Sequence, residues 1–365
     1  TNSVKLMRSR SMVLNTASGS KPFSMCTVPP RISVGSTFVP ATWLITVVLV
    51  VLAPLGLPLV ALVDLVRGRR RLPLVRGWLF GLAYGALESV MLVVVGGTWV
   101  ATGFGRAMDR PWSERLHARL QHWWIRRLLN LLSGLLGLRF SIDGAEAVSP
   151  GPVLVFGRHA SLVDTLFPAL ALSGSGMAMR YVLKRALEMM PLLDVVGHRL
   201  PNYFADRSGT DTTGELAALS VLATGLGEAD SVVIFPEGTR GTPAKRARAV
   251  ERLNEAHPEL TARAAALRHT MPPRWGGAFA LLDAAPSADV VVFVHYGLDG
   301  LRGLSGILAA LPLRRSVTVE LWRIPRADIP EDRDERREWL FALWARVDDW
   351  VERQAIAVSA ENGRR

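Results

Sequence analysis

The 365-residue sequence contains a single cysteine, Cys26, so no disulfide can form within the chain. Acidic residues are also few, since 32 aspartates and glutamates stand against 43 lysines and arginines and leave a formal net charge of +11. Zinc-finger spacings and the aromatic signatures of RNA-binding domains are both absent. The basic charge therefore comes without the motifs that usually accompany nucleic-acid binding.

The positive charge is concentrated at one end of the chain. Residues 1–100 carry ten lysines and arginines against two acidic residues, and residues 101–135 carry six arginines against two. The remaining 230 residues have a net charge of −1. A nucleic-acid-binding domain spreads basic charge over its folded surface, so this distribution favours contact with anionic membrane lipids and predicts no nucleic-acid partner.

Two long apolar runs lie within this basic region. Residues 41–63 include no charge and would form a helix of roughly 35 Å, enough to cross a bilayer. The second run, 77–105, is interrupted by Glu88 and five glycines. The arginines of 67–76 and of 106–127 should both stay at the cytoplasmic surface. We therefore expect a hairpin in one leaflet, or one span with an interfacial segment, and a buried helix is the alternative for either run.

From residue 138 the pattern changes to β-rich runs that alternate with helical stretches, which predicts an α/β domain with a mostly parallel central sheet flanked by helices. Strands are predicted at 138–142, 152–156, 180–183, 231–235, 289–295 and 316–321, and helices at 162–172, 187–196, 211–226, 244–267 and 334–354. The predicted parts are a loose tail (1–38), membrane-anchoring segments (39–110), an amphipathic interfacial or core helix (111–137), the α/β domain (138–330), and an amphipathic helix with a tail (331–365).

A candidate general base follows the second predicted strand. His159 lies in a short loop after 152–156, where parallel sheets place ligands, and Asp164 comes five residues later. Ser161 is a good helix N-cap, which would put Asp164 at the third helical position and let it meet His159. An ionised carboxylate fixes the imidazole tautomer and raises its basicity, for a rate gain of roughly 10² to 10⁴. The competing interpretation is a capping box, in which Asp164 bonds back to the helix start.

Two other chemistries are less favoured at this position. A serine hydrolase with Ser161 as nucleophile would need a Gly-x-Ser-x-Gly elbow, and none surrounds it. His159 and Asp164 lack a third and fourth metal ligand at usable spacing, so no metal is predicted.

A polar turn follows the strand predicted at 231–235. It reads Pro236-Glu237-Gly238-Thr239-Arg240 and supplies a carboxylate, a hydroxyl and a guanidinium. A guanidinium offers a planar donor fork that a phosphate accepts in pairs. Alone, this would be an ordinary turn with a surface Glu-Arg pair; with the histidine run it suggests acyl transfer onto a phosphorylated alcohol.

Two segments of the chain resemble signature blocks of the glycerolipid acyltransferases, the lysophosphatidic acid acyltransferase superfamily. The first block corresponds to His159-x-Ser161-x-x-Asp164 and the third block to residues 235–240. Residues 197–207 resemble the second block, whose phosphate-binding arginine is Arg207 here. The resemblance implies the glycerol-phosphate acyltransferase fold and transfer of a fatty acyl group to a lysophospholipid hydroxyl. The donor would be acyl-CoA or acyl carrier protein as co-substrate, with no other cofactor.

The resemblance also implies residue roles. His159 would be the general base and Asp164 its orienter. The substrate-binding residues would be Arg207, Glu237, Gly238, Thr239 and Arg240, with the arginines on the acceptor phosphate and Glu237 and Thr239 shaping the pocket or binding acceptor hydroxyls. Ser161 and Lys184 are secondary candidates.

The chain departs from the family pattern at two positions. Arg158 stands where the family commonly has asparagine, and Ala186 replaces the usual acidic residue two places after Lys184. Residues 267–277 resemble a Pro-Arg region of the lysophosphatidylinositol and lysocardiolipin branch, and His269 and Arg274 are expected to be structural or pocket-lining. These features leave the acceptor head group open.

The sequence thus predicts a 1-acylglycerol-3-phosphate acyltransferase at the cell membrane, with its catalytic domain on the cytoplasmic face. Its partners would be membrane lipids, the acyl donor and a lysophospholipid. The alternatives are an acyltransferase for another lysophospholipid head group, of the lysophosphatidylinositol or lysocardiolipin type, and a non-catalytic membrane lipid-binding protein.

Overall fold

The computed structural model describes residues 34–108, 110–161, 164–173, 175–205, 212–299, 311, 313 and 316–363. The strands are β1 (Arg139–Asp143), β2 (Val153–Gly157), β3 (Ala178–Lys184), β4 (Tyr203–Ala205), β5 (Asp230–Ile234), β6 (Asp289–Tyr296) and β7 (Ser316–Ile324). The helices are α1 (Val34–Val66), α2 (Pro73–Ala101), α3 (Pro111–Leu136), α4 (Phe167–Ser173), α5 (Pro191–Gly197), α6 (Thr212–Ala223), α7 (Pro243–Ala256), α8 (Pro258–Ala266), α9 (Trp275–Ala284) and α10 (Arg333–Gly363).

The seven strands found in the described residues form one sheet in the order β1-β7-β6-β2-β5-β3-β4. Strands β6, β2, β5, β3 and β4 are parallel, β7 is antiparallel to β6, and β1 pairs in parallel with β7. The prediction of a mostly parallel sheet flanked by helices is confirmed. Val153 of β2 lies opposite both Ser231 of β5 and Asp289 of β6, so the loops that follow β2 and β5 meet at one edge of the sheet.

The central strand β2 is buried on both faces, as parallel strands covered by helices usually are. Val155 points into a core shared with Trp124 of α3 and Phe167 of α4. Phe156 points to the opposite face, into a core that includes Trp344 of α10. Each apolar side chain buried in this way stabilises the fold by about 1.5–3 kcal/mol. This double burial makes β2 a rigid base for the loop that carries His159.

Several predicted elements differ from the structure. The helix predicted over 244–267 is two helices, because Pro258 lacks a backbone N–H and its ring would clash with the preceding turn, so α7 ends at Ala256. The helix predicted from Leu187 is instead a 3₁₀ turn followed by α5. Strand β4 and helix α9 were not predicted at all.

The two N-terminal apolar helices are long enough to cross a membrane. Phe38–Val66 and Pro73–Ala101 meet the length and hydropathy expected of spans. They are joined by a tight turn in which the Asp64 carboxylate accepts hydrogen bonds from the N–H groups of Leu74 (2.8 Å) and Val75 (3.3 Å), satisfying the start of α2. The result is an apolar hairpin.

Helix α2 lies along α3 over almost its whole length. Arg76 donates to the Leu135 carbonyl (3.1 Å) near the start of α2, and Thr98 Oγ1 lies 3.2 Å from His117 Nε2 near its end. The opposite side of α3 exposes charged side chains to solvent; these are Arg115, Arg119, Arg126 and Arg127. Two full spans would therefore carry arginines of α3 into the bilayer with α2, at a high free-energy cost.

Helix α3 was predicted to be either interfacial or a core helix. Its buried face includes Trp124, Leu128 and Leu132, which belong to the core on one side of the sheet. The exposed Trp112 and Trp123 flank this packed face. Packing against the α/β domain thus accounts for the apolar face that the sequence displayed.

Candidate active site

His159 and Asp164 meet in the loop after β2. His159 Nδ1 lies 3.2 Å from Asp164 Oδ1 and 3.3 Å from Oδ2. The carboxyl group is fully buried, whereas the imidazole is 19% exposed. A ring whose Nδ1–H is held by a carboxylate leaves Nε2 as the basic nitrogen. The pair therefore has the geometry of a general base and its orienter.

Asp164 also closes the loop that carries the histidine. Its Oδ2 accepts hydrogen bonds from the backbone N–H groups of Ala160 (2.6 Å) and Ser161 (2.7 Å). One carboxylate thus makes the backbone hydrogen bonds of a cap and also contacts the His159 ring. A 3₁₀ turn starts at Asp164 itself, so Ser161 does not place it at a third helical position. Ser161 is fully buried, and a nucleophile must reach the substrate, so the hydrolase interpretation loses its support.

The charge state of Asp164 follows from its partners. Burial alone would raise the pKa of Asp164, but hydrogen bonds from His159 and His295 outweigh burial and hold the pKa well below its usual range. His295 Nε2 lies 3.6 Å from Oδ2 and 3.1 Å from the Arg158 carbonyl oxygen. The carboxylate is ionised at neutral pH and is ready to stabilise a positively charged imidazole.

This pKa predicts a pH-dependent contribution to stability. The folded protein binds the Asp164 proton less readily than the unfolded chain, so the contribution is present above the unfolded pKa and is lost as pH falls below about 4. We expect Asp164→Asn to lower the free energy of unfolding by about 1–3 kcal/mol at pH 7, with a shrinking difference on acidification. Urea titrations between pH 7 and pH 3 measure this difference, and a constant or growing difference would contradict the assignment.

Glu237 fastens the histidine loop to a second loop. Its buried carboxylate accepts the backbone N–H of His159 (3.0 Å) through Oε1 and that of Met271 (3.0 Å) through Oε2. Burial raises the pKa of Glu237 to about 7, although the nearby Arg158 guanidinium opposes the rise. With both oxygens engaged by the backbone, Glu237 shapes the pocket from behind, which favours that role over contact with acceptor hydroxyls.

Arg158, the departure from the family pattern, has a structural role. Its buried guanidinium pairs with Asp299 (2.5 Å) and donates to the His295 carbonyl (2.8 Å). Its backbone N–H donates to the Phe293 carbonyl (3.0 Å), which continues the pairing of β2 with β6. The arginine points away from the cleft and braces the backbone immediately before His159. Sequence reasoning missed its partners His295 and Asp299, which carry no local motif.

A cleft of about 690 Å³ opens beside His159. The turn after β5 borders it, so Gly238, Thr239 and Arg240 lie in the same cleft as the histidine, together with Lys184. Arg207 lies outside the described residues. The cationic side chains that line the cleft are Lys184, Arg240, Lys245, Arg248, Arg252 and Arg274, beside the acidic Glu251 and Glu255.

The polar turn owes its shape to Gly238. This glycine has φ +70°, and a Cβ there would lie 3.0 Å from Arg274 Cδ. Thr239 Oγ1 accepts a hydrogen bond from Lys245 Nζ (3.1 Å), which connects the turn to α7. Arg274 lines the cleft, whereas His269 pairs with Glu352 of α10. The expectation that these two residues are pocket-lining or structural fits their positions.

One group of potential metal ligands occurs in the described part of the chain, apart from the residues that line the cleft. The ligand atoms of Glu188, Asp194 and His198 lie within 4.8 Å of one another. His198 Nδ1 is 3.0 Å from Asp194 Oδ1, which is an ordinary ion-pair distance. This cluster supplies nothing to the histidine site.

Comparison with known proteins points to one family. Residues 139–295 match the model of the acyltransferase family. The 1-acyl-sn-glycerol-3-phosphate acyltransferase of Pseudomonas aeruginosa is 29% identical over 150 residues, which is 39% of this chain and 53% of that protein. The match thus spans about half the length of that relative. The crystal structure of the 1-acyl-sn-glycerophosphate (LPA) acyltransferase PlsC from Thermotoga maritima has a TM-score of 0.49 and 15% identity, over 78% of this chain and 98% of that one.

Proposed function

We propose that this chain, whose residues 139–295 match the acyltransferase family model, acylates the free hydroxyl of 1-acylglycerol-3-phosphate to give phosphatidic acid. One observation carries the proposal. The His159–Asp164 pair opens into the same cleft as Arg240, so a base for a hydroxyl and a cation for a phosphate face one cavity. The match to the acyltransferase family model favours lipid and acyl-donor substrates, and the proposal adds the identity of the acceptor.

The reaction follows from the placement of the base. His159 Nε2 takes the proton from the acceptor hydroxyl while the hydroxyl oxygen attacks the thioester carbonyl carbon. The tetrahedral intermediate then expels the thiolate, which receives the proton back from the imidazolium. Asp164 stabilises the imidazolium charge that forms between these steps. Glu237 fixes the backbone of His159 during both steps, because its carboxylate accepts a hydrogen bond from the His159 N–H (3.0 Å).

The acceptor phosphate is assigned to arginines. Arg240 lies in the cleft and can form paired hydrogen bonds with phosphate oxygens. Arg207 joins it on the strength of the motif resemblance. Both suit a phosphomonoester, which carries up to two negative charges near neutral pH.

Arg240→Ala is expected to raise the KM for the phosphorylated acceptor roughly 10- to 100-fold, because a charge-assisted pair is worth about 1.5–3 kcal/mol. The KM for the donor should stay unchanged, and Arg240→Lys should recover only part of the loss, since an ammonium lacks the planar fork. Arg207→Ala should act in the same direction. If neither alanine variant changes the KM for the acceptor, the two arginines do not bind the acceptor phosphate.

We also propose that the catalytic domain lies on the cytoplasmic face of the cell membrane. The apolar hairpin α1–α2 supports membrane association, and exposed apolar side chains such as Leu55 and Leu59 on α1 suit contact with lipid. Because the arginines of α3 run beside α2, a hairpin held within one leaflet fits better than two spans. The basic residues at 67–76 and 106–127 then face anionic headgroups together.

A second acceptor class has a specific observation in its favour. Arg274, within the segment that resembles the lysophosphatidylinositol and lysocardiolipin branch, lines the cleft. A thiol-release assay with acyl-CoA and a panel of lysolipids decides between the head groups. We expect the highest kcat/KM for 1-acylglycerol-3-phosphate. A higher kcat/KM for lysophosphatidylinositol or lysocardiolipin would instead identify that lipid as the acceptor. The absence of thiol release with every lysolipid, whether the donor is acyl-CoA or acyl carrier protein, would favour a non-catalytic lipid-binding protein.

A further inference from the structure

Helix α7 presents a row of basic side chains to the cleft. The helix begins just after the polar turn, where Thr242 Oγ1 accepts the N–H of Lys245 (3.2 Å) as an N-cap. Lys245, Arg248 and Arg252 follow at helical spacings of three and four, so they share one face. All three line the cleft that contains His159.

These cations have no acidic partners among the residues that the structure describes. Lys245 Nζ donates to the neutral Thr239 hydroxyl (3.1 Å), and Arg252 Nε donates to the Arg248 carbonyl (3.2 Å). Glu251 and Glu255 line the same wall without pairing with them. Burial, and in second place the charge of Arg252, lowers the pKa of Arg274 across the cleft. So many cations in one cavity repel one another unless an anion occupies it.

The row is too long for the acceptor's phosphate alone. Lys245 and Arg252 are seven residues apart, so their backbone positions are separated by roughly 10 Å along the helix axis. A lysophospholipid of the proposed type offers one phosphate, for which Arg240 is already assigned. Acyl-CoA, in contrast, carries a pyrophosphate and a 3′-phosphate, separated from its thioester by the pantetheine arm. It can place its phosphates on α7 while the thioester reaches His159.

We infer that Lys245, Arg248 and Arg252 bind the nucleotide phosphates of an acyl-CoA donor. This inference rests on the proposed acyl transfer and names the second substrate of the same site. All three side chains are exposed along the wall of the cleft, where the phosphates of a flexible nucleotide can reach them.

Binding of CoA itself tests the inference. No residue of α7 is buried, so Arg248→Ala and Arg252→Ala should leave the fold intact. In titration calorimetry on the full chain, we expect each variant to weaken CoA binding about tenfold and the double variant by more. Pantetheine, which lacks the phosphates, should bind wild type and variants equally. Arg353→Ala, an exposed arginine of α10 outside the cleft, is the matched control and should bind CoA like wild type.

Kinetics extend the same comparison. The α7 variants should raise the KM for acyl-CoA about tenfold and leave kcat, the lysolipid KM and turnover of S-acyl-pantetheine unchanged. An unchanged CoA affinity in the double variant, equal losses with CoA and pantetheine, or activity with acyl carrier protein alone would each overturn the inference. If the wild-type protein binds CoA through α7 but transfers no acyl group, the proposed function is rejected and the CoA site is retained.

Discussion

His159→Ala is expected to abolish thioester-dependent acylation of a lysophospholipid, with kcat lowered by roughly 10²- to 10⁴-fold. The imidazole is held next to the cleft by a buried carboxylate, and among the described residues that line the cleft His159 is the one histidine. Thiol release from acyl-CoA in the presence of lysophosphatidic acid, followed over time, measures the loss.

The fold should survive this change. The His159 side chain is partly exposed and packs on one face against Phe235, at a ring distance of 5.0 Å, so the substitution leaves only a small gap at the cleft wall. Circular dichroism and a thermal unfolding curve close to those of wild type provide the control. Substantial turnover by a folded His159→Ala protein would show that another group is the base.

Asp164→Asn is expected to lower kcat by a similar factor. A carboxylate accepts the Nδ1–H of His159 and leaves Nε2 free to take a proton, whereas an asparagine amide can donate to Nδ1 and favour the opposite tautomer. The loss should therefore appear mainly in kcat, with little change in the KM of either substrate.

Ser161→Ala is the matched comparison for Asp164→Asn, because both residues belong to the same loop and are fully buried. The residues that line the cleft do not include Ser161, and alanine keeps the backbone N–H that donates to Asp164, so the variant should retain most activity. A larger loss for Ser161→Ala than for Asp164→Asn would return the site to the hydrolase interpretation.

The elements that carry the site could be predicted because their signals are local. The buried strands β2 and β5 are short valine-rich runs, and each ends in a polar segment within a few residues. Parallel pairing of these two strands then brings the His159 loop and the polar turn to the same edge. The domain boundaries drawn from composition, such as 138–330, remain predictions.

The missed elements have weak local signals. Helix α9 begins with Trp275-Gly276-Gly277 after two prolines, a poor helix start by propensity, and it forms because its apolar face packs on the sheet. Strand β4 is only three residues long at the edge of the sheet. In both cases tertiary packing determines a conformation that the local sequence does not.

Some residues near the site were not predicted, for a different reason. Asp299 reaches Arg158 from 141 positions away, so nothing near either residue reveals the pair. Arg248 and Arg252 resemble the charged, solvated face of any surface helix, and only the position of α7 beside the cleft distinguishes them. Their contribution depends on which way the helix faces, which the charge pattern alone does not determine.

The central claim is acyl transfer onto a lysophosphatidic acid hydroxyl, and product analysis tests it most directly. The purified 365-residue chain is incubated with acyl-CoA and 1-acylglycerol-3-phosphate, and lipids and free thiol are quantified together by mass spectrometry and thiol titration. We predict one phosphatidic acid formed for each thiol released. Thiol release accompanied by free fatty acid instead of phosphatidic acid, or no thiol release at all, would contradict the claim.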